Sequence, residues 1–198
     1  PIQGTKHHYP YNQAALEARE LHIALQRQFS EGALNKHGRY YTALQNMPSD
    51  DRKFLTLDGE KTIEIDYRGL HYNLAYNDKG LDMKKYPYES KGGGIPKKIF
   101  KTACIIALNT DKKRSASHAI RELVESPHLP QNCRGYRSKD VLRAIIDTHK
   151  DISDILFTPR GLDYMFRESL ITTDILKTFI KLGEGILPIH DSFVAVSY

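Results

Sequence analysis

Four side chains in this 198-residue chain combine the types and placements that chemistry on an anionic substrate needs: Asp66, Asp191, Lys97 and Lys101. Asp191 belongs to His190-Asp191, a polar pair between the apolar runs Ile186-Leu187-Pro188-Ile189 and Phe193-Val194-Ala195-Val196. That is a β-hairpin pattern, and His and Asp tolerate the positive φ that tight turns require. Asn-Gly would reverse the chain more cheaply, so a carboxylate raised on this turn points to chemistry and asks for a second one. Asp66 supplies it at the end of Lys61-Thr62-Ile63-Glu64-Ile65-Asp66, the second strand of a hairpin whose turn is Asp58-Gly59. A helical pattern follows over 69–77, so Asp66 is either an active-site carboxylate at a strand end or the N-cap of that helix.

The lysines open another helix. Pro96 suits the first helical position, and Lys97, Lys98 and Lys101 follow it. Cations at a helix N-terminus oppose the macrodipole, so their clustering beside free backbone N–H groups fits a bound anion, phosphate above all; the plain alternative is solvated surface charge. Lys97, Lys101, Ile105 and Asn109 recur every four residues and share one face, leaving Ile99, Phe100, Ala103 and Ile106 to pack. Gly92-Gly93-Gly94 is no Walker loop, because no Gly-Lys-Ser/Thr follows it.

The surrounding elements can be read from periodicity. In the 61–66 strand, Ile63 and Ile65 are expected inward and Thr62, Glu64 and Asp66 on the opposite face. Leu70, Leu74 and Tyr76 turn toward the core. Ala14, Ala18, Leu21, Leu25 and Phe29 predict an amphipathic helix from Asn12 to Ser30. Gly32 and Gly38 then break the pattern and place Arg39 in a loop, either as a solvated charge or reaching the site. Further helices are expected over 115–125, from Ser138 with Val141, Leu142, Ile145 and Ile146 inward, and over about 162–182. Lys112-Lys113-Arg114 reads equally as a grip on a nucleic-acid backbone or as a solvated corner. Apart from His190, the histidines show no metal-ligand spacing and read as surface or packing residues.

Composition bounds these readings. A hydrophobic content of 40% and a charged content of 27% are globular values and exclude wholesale disorder. The length suits one core, or one core with a helical lobe. A net charge of +5 and a pI near 9.1 favour anionic partners. No apolar run reaches membrane-spanning length, so no membrane partner is expected. The opening residues lack signal-peptide features and the chain starts without Met, which reads as trimming or as excision from a longer product. Two cysteines, Cys104 and Cys133, cannot build a disulfide framework; Cys104 reads as a core thiol, and a reducing, cytoplasmic setting follows.

The order of these motifs resembles the superfamily that joins polymerase I-like (family A) DNA polymerases with single-subunit phage-type RNA polymerases, in a divergent phage or mobile-element form. Ile63-Glu64-Ile65-Asp66-Tyr67 looks like its motif A. Lys97, Lys101, Ile105 and Asn109 are similar to the spacing of motif B, and Ile189-His190-Asp191-Ser192-Phe193 to motif C. The resemblance covers 52–198. Two positions depart from it: Asn109-Thr110 stands where motif B ends in Tyr-Gly, and His71 stands where DNA polymerases of this family carry a glutamate against the ribose hydroxyl.

The resemblance implies an α+β fold, with a small antiparallel palm sheet of two hairpins and a large helical fingers portion. Residues 51–80 and 160–198 would form the palm, 81–159 the fingers, and 1–50 a helical N-terminal segment, a reduced or truncated thumb-like region. It implies template-directed nucleotidyl transfer in the cytoplasm of a bacterial or phage-infected cell. Asp66, Asp191 and the Tyr67 carbonyl would hold two Mg²⁺ ions, with Mn²⁺ as a substitute, and Lys101 would act on the leaving pyrophosphate. Lys97, Lys101, Tyr67, Asn109 and His71 would contact the nucleotide, and His190 would support the turn. Partners would be a primer-template and nucleoside triphosphates, with oligomeric state open. A two-metal nuclease or phosphatase, or a silent nucleic-acid-binding remnant, accounts for the same residues.

Overall fold

The structure, a computed structural model, describes residues 24–83, 85–92, 94–189 and 191–197. It is a mixed α+β fold with two antiparallel sheets among the described residues. The first sheet is a hairpin of β1 (Gln26–Ser30) and β2 (Ala33–Tyr41). The second has four strands in the order β3-β4-β6-β5, built from β3 (Thr56–Leu57) with β4 (Glu60–Asp66) and β5 (Ile186–Ile189) with β6 (Ser192–Val196). Both predicted hairpins form. Asp58 and Gly59 take φ of 52° and 83° at the first turn, the values that an Asp-Gly turn permits. Pro188 lies in β5, an edge strand, where its missing N–H costs no central ladder bond.

The helices are α1 (Ser49–Arg52), α2 (Leu70–Asn77), α3 (Lys97–Asn109), α4 (Lys113–Glu125), α5 (Ser138–Thr148) and α6 (Gly161–Leu182). The main core lies among α2 to α5: Tyr72, Ala75, Ile99, Phe100, Ala103, Cys104, Ile120, Val141 and Ile145 are fully buried. The apolar residues expected to pack on α3 therefore do so. A smaller core of Leu44, Met47, Ile189 and Val194 lies against the four-stranded sheet.

Two expectations are corrected. The helix predicted from Asn12 to Ser30 lies partly outside the described residues; where it is described, Gln26 to Ser30 is a strand. The segment 1–50 is thus not a helical unit in its described part, and Gly32 and Gly38 belong to a hairpin. Gly32 takes φ 64° in the turn. Gly38, at φ 70°, is the extra residue of a bulge, since Gln28 pairs with Arg39 and Phe29 with His37. Pairing with Arg39-Tyr40-Tyr41 overrode the local helical spacing.

The second correction concerns β4. Ile63 and Ile65 are 46% and 54% exposed. Register shows why. Glu64 pairs with Val194 and Asp66 with Ser192, so the face carrying the two acids is the one that meets the small core. Ile63 and Ile65 share the other face with Ala195 and Phe193, which is covered over β6 but open over β4.

Candidate active site

Asp66 ends β4 and Asp191 sits in the turn that opens β6, the strand paired with β4. The backbone joins them, because the Tyr67 amide donates to the Asp191 carbonyl at 3.5 Å. Both aspartates are exposed to solvent, so the pair faces an open surface. Asp66 is not an N-cap: the cap position of α2 is Gly69, at φ 70°. Partial burial and then the Asp191 carboxylate raise the Asp66 carboxyl above its ordinary value, with Glu64 adding to this; Lys101 and the Tyr67 backbone amide oppose it. Asp191 and Lys101 thus both act electrostatically on Asp66, although 35 and 90 residues separate Lys101 from the two acids in sequence.

Glu64, read from its strand position as solvent-facing at least as readily as supporting the site, is held firmly. Arg52 grips it in bidentate fashion, Nε to Oε2 and Nη2 to Oε1, each at 2.9 Å, while Arg52 Nη1 donates to the Met47 carbonyl at 2.8 Å. Ser192 Oγ lies 2.7 Å from Glu64 Oε1 and 2.9 Å from the Ile189 carbonyl, so its single proton serves both acceptors. This network ties β4 to the β5–β6 turn within two residues of each aspartate. Arg52 belongs to no motif, and although Ser192 lies in the stretch that resembles motif C, nothing in the sequence signals its bond to Glu64.

On α3, Lys97 and Lys101 are exposed on one face with Ile105 and Asn109, as the four-residue spacing requires. Lys97 Nζ lies 4.3 Å from the centre of the Tyr86 ring and Lys101 Nζ 5.6 Å from that of Tyr88. Asn109 stands about 12 Å along the helix from Lys101. Its side-chain amide donates to the Ile105 carbonyl at 2.8 Å and packs so tightly on Gly161, the first residue of α6, that a Cβ there would meet Asn109 Oδ1 at 1.7 Å. Asn109 therefore couples α3 to α6 and is not gathered with the acids.

His71 is engaged elsewhere too. It shares a hydrogen bond of 2.8 Å with Glu168 Oε2, and Arg39 Nη2 donates to the same oxygen at 2.6 Å. Arg39 is thus neither a loop charge nor a direct neighbour of the acids; the Gly38 bulge aims it from β2 at α6. Glu168 is only 2% exposed. Burial pushes its carboxyl up, but hydrogen bonds and charge from His71 and Arg39 prevail and hold it below its usual value. A signal for Glu168 existed, since it falls in the stripe Tyr164, Glu168, Thr172, Leu176, all buried at four-residue spacing. An acid in such a stripe needs cationic partners.

Tyr88 was absent from the expected site and belongs beside it. Burial, then Cys104, Tyr86 and the two carboxylates raise its phenol well above the ordinary value. Tyr67 packs edge-on against Phe193 at 6.0 Å, and its carbonyl accepts from the Gly69 amide at 3.0 Å, leaving one lone pair. His190 lies outside the described residues. Among the described residues no group of three or more His, Cys, Asp or Glu side chains is disposed to hold a metal ion. None of their helices is long and apolar enough to cross a membrane. No protein-family model, curated protein or solved structure matches this chain.

Proposed function

We propose that this chain is the palm and fingers core of a template-directed nucleotidyltransferase, a DNA or RNA polymerase of the polymerase I-like superfamily, with DNA the favoured product. The observation that carries the reading is the electrostatic meeting of Asp66, Asp191 and Lys101 from three separate elements on one open surface. Two like charges that raise a carboxyl's pKa are an arrangement a cation relieves. Asp66 and Asp191, with the Tyr67 carbonyl, would hold Mg²⁺, which accepts few protein oxygens and completes its shell with water and substrate phosphates. Mg²⁺ when bound supplies Lewis-acid stabilisation of the phosphoryl group and a more acidic primer hydroxyl.

The chain's own residues do the rest. Lys101 neutralises charge developing on the leaving pyrophosphate, and Lys97 binds the phosphate tail one helical turn away. The Arg52–Glu64–Ser192 network keeps the two strand ends in register, so that the carboxylates need not reorganise when the charge develops. An exposed site with a basic helix beside it suits a polymeric anion.

The test is extension of a labelled primer-template with Mg²⁺ and separate pools of deoxynucleotides and ribonucleotides. Incorporation that disappears in Asp66→Asn and in Asp191→Asn, with unchanged circular dichroism, supports the reading. Nucleotide-independent hydrolysis of the DNA would transfer the same carboxylates to a nuclease. Salt-sensitive binding without any turnover would make the chain a binding module.

A further inference from the structure

Between α2 and α3 the chain lays Tyr86-Pro87-Tyr88 along the base of the lysine helix. Pro87 is fully buried and wedged against Gly69, three residues after Asp66; a Cβ at Gly69 would lie 2.4 Å from Pro87 Cγ. From behind, His149 Nε2 lies 2.9 Å from the Pro87 carbonyl. Tyr88 stacks edge-on to Tyr72 at 5.8 Å, and the Tyr72 hydroxyl donates to the Cys104 carbonyl of α3 at 2.9 Å. Tyr86 and Tyr88 in turn meet edge-on at 5.4 Å. The segment is thus pinned to the Asp66 strand end, to α2 and to α3 at once. Among the described residues neither Lys97 nor Lys101 makes an ion pair; each ammonium instead lies over a tyrosine ring.

We propose that Tyr86 and Tyr88 form an aromatic cradle that orients the Lys97 and Lys101 ammonium groups toward the phosphates of a nucleoside triphosphate at Asp66 and Asp191. This rests on the nucleotidyl-transfer reading. A free lysine has four rotatable bonds and wanders. A carboxylate partner would fix it but cancel its charge, whereas a ring face fixes it and leaves the charge for the ligand. Both tyrosines are therefore positioning residues acting through the lysines, and the wedge at Gly69 sets their distance from the carboxylates.

The experiment uses the full chain and measures triphosphate binding with Mg²⁺ alongside primer extension. Tyr86→Leu is expected to weaken binding and raise KM for the nucleotide roughly two- to fivefold with kcat nearly unchanged. Tyr86→Phe and Tyr88→Phe, which keep the rings, stay at the wild-type value. In a Lys97→Ala background Tyr86→Leu adds nothing, because its effect passes through Lys97. Should Tyr86→Leu unfold, the wild-type Lys97 methylene protons decide: an upfield ring-current shift supports the cradle and random-coil positions overturn it. A folded Tyr86→Leu that matches wild type while Lys97→Ala loses affinity, or that acts equally in the Lys97→Ala background, overturns the cradle and leaves nucleotidyl transfer standing. A wild-type chain that neither binds nor incorporates triphosphate overturns both.

Discussion

Acidification should destabilise this protein through one histidine, His149. His149 is 2% exposed, with two close polar partners and the Cys104 Sγ farther off, 3.9 Å from Nε2. The Tyr76 hydroxyl lies 3.2 Å from Nδ1, and Nε2 lies 2.9 Å from the Pro87 carbonyl, which can only accept. Nε2 therefore carries the proton and Nδ1 accepts from Tyr76, a neutral tautomer with both nitrogens satisfied. Burial pushes the imidazole down to about 4, with the Pro87 carbonyl opposing. The folded value lies below the unfolded one, so the unfolded chain binds the extra proton first. The stabilising contribution is whole above about pH 6.5 and is lost as pH falls toward 4. The loss is about 2 kcal/mol between pH 7.5 and pH 5 and about 3 kcal/mol by pH 4. For a chain of this size 2 kcal/mol is roughly 4–8 °C in melting temperature. Acidic groups titrate in the same range, so the measurement is the difference between wild type and His149→Gln by urea denaturation across pH. The variant should be less stable at pH 7.5, and the gap should narrow by about 2 kcal/mol at pH 5. Parallel stability curves, or an imidazole that titrates near 6.5 in the folded protein by nitrogen-detected NMR, would refute the reasoning.

The remaining predictions concern the site and its frame. Asp191→Asn should lower the titration midpoint of the Asp66 carboxyl, because it removes a like charge, whereas Lys101→Ala should raise it; carbon-detected NMR reads both, and midpoints that do not move would separate the three groups. If Lys101 also protonates the leaving group, Lys101→Ala slows incorporation by about 10²–10⁴-fold in single-turnover extension. Arg39→Met strands the buried Glu168 with His71 alone and should cost about 3 kcal/mol in denaturant titration, with Arg39→Met plus Glu168→Leu recovering much of it. Gly69→Ala meets both the left-handed φ of 70° and Pro87, so it should destabilise by about 1–3 kcal/mol and disturb the Lys97 and Lys101 resonances.

Much of this protein was legible where local chemistry speaks for itself. Asp58-Gly59 can hardly do other than turn, His190-Asp191 between two apolar runs marks a second hairpin, and the four-residue spacing on either side of Ile99 separates a packed face of α3 from a lysine face. These features placed Asp66, Asp191 and Lys101 on their elements, because turn conformation and helical period are properties of a few neighbouring residues. What only the tertiary structure decided depends on pairing between distant segments. Gln26 to Ser30 became a strand because β2 lies beside it. Glu64 acquired Arg52 and Ser192 because β4 pairs with β6 in one register, and that register also turned Ile63 and Ile65 to solvent. Glu168, Arg39 and His71, separated by up to 129 residues, met only when α6 packed against β2 and α2. Burial and the partners it enclosed then set the charge of groups such as His149 and Glu168, which no pattern along the chain can report, since desolvation and pairing belong to the folded surroundings and not to the residue.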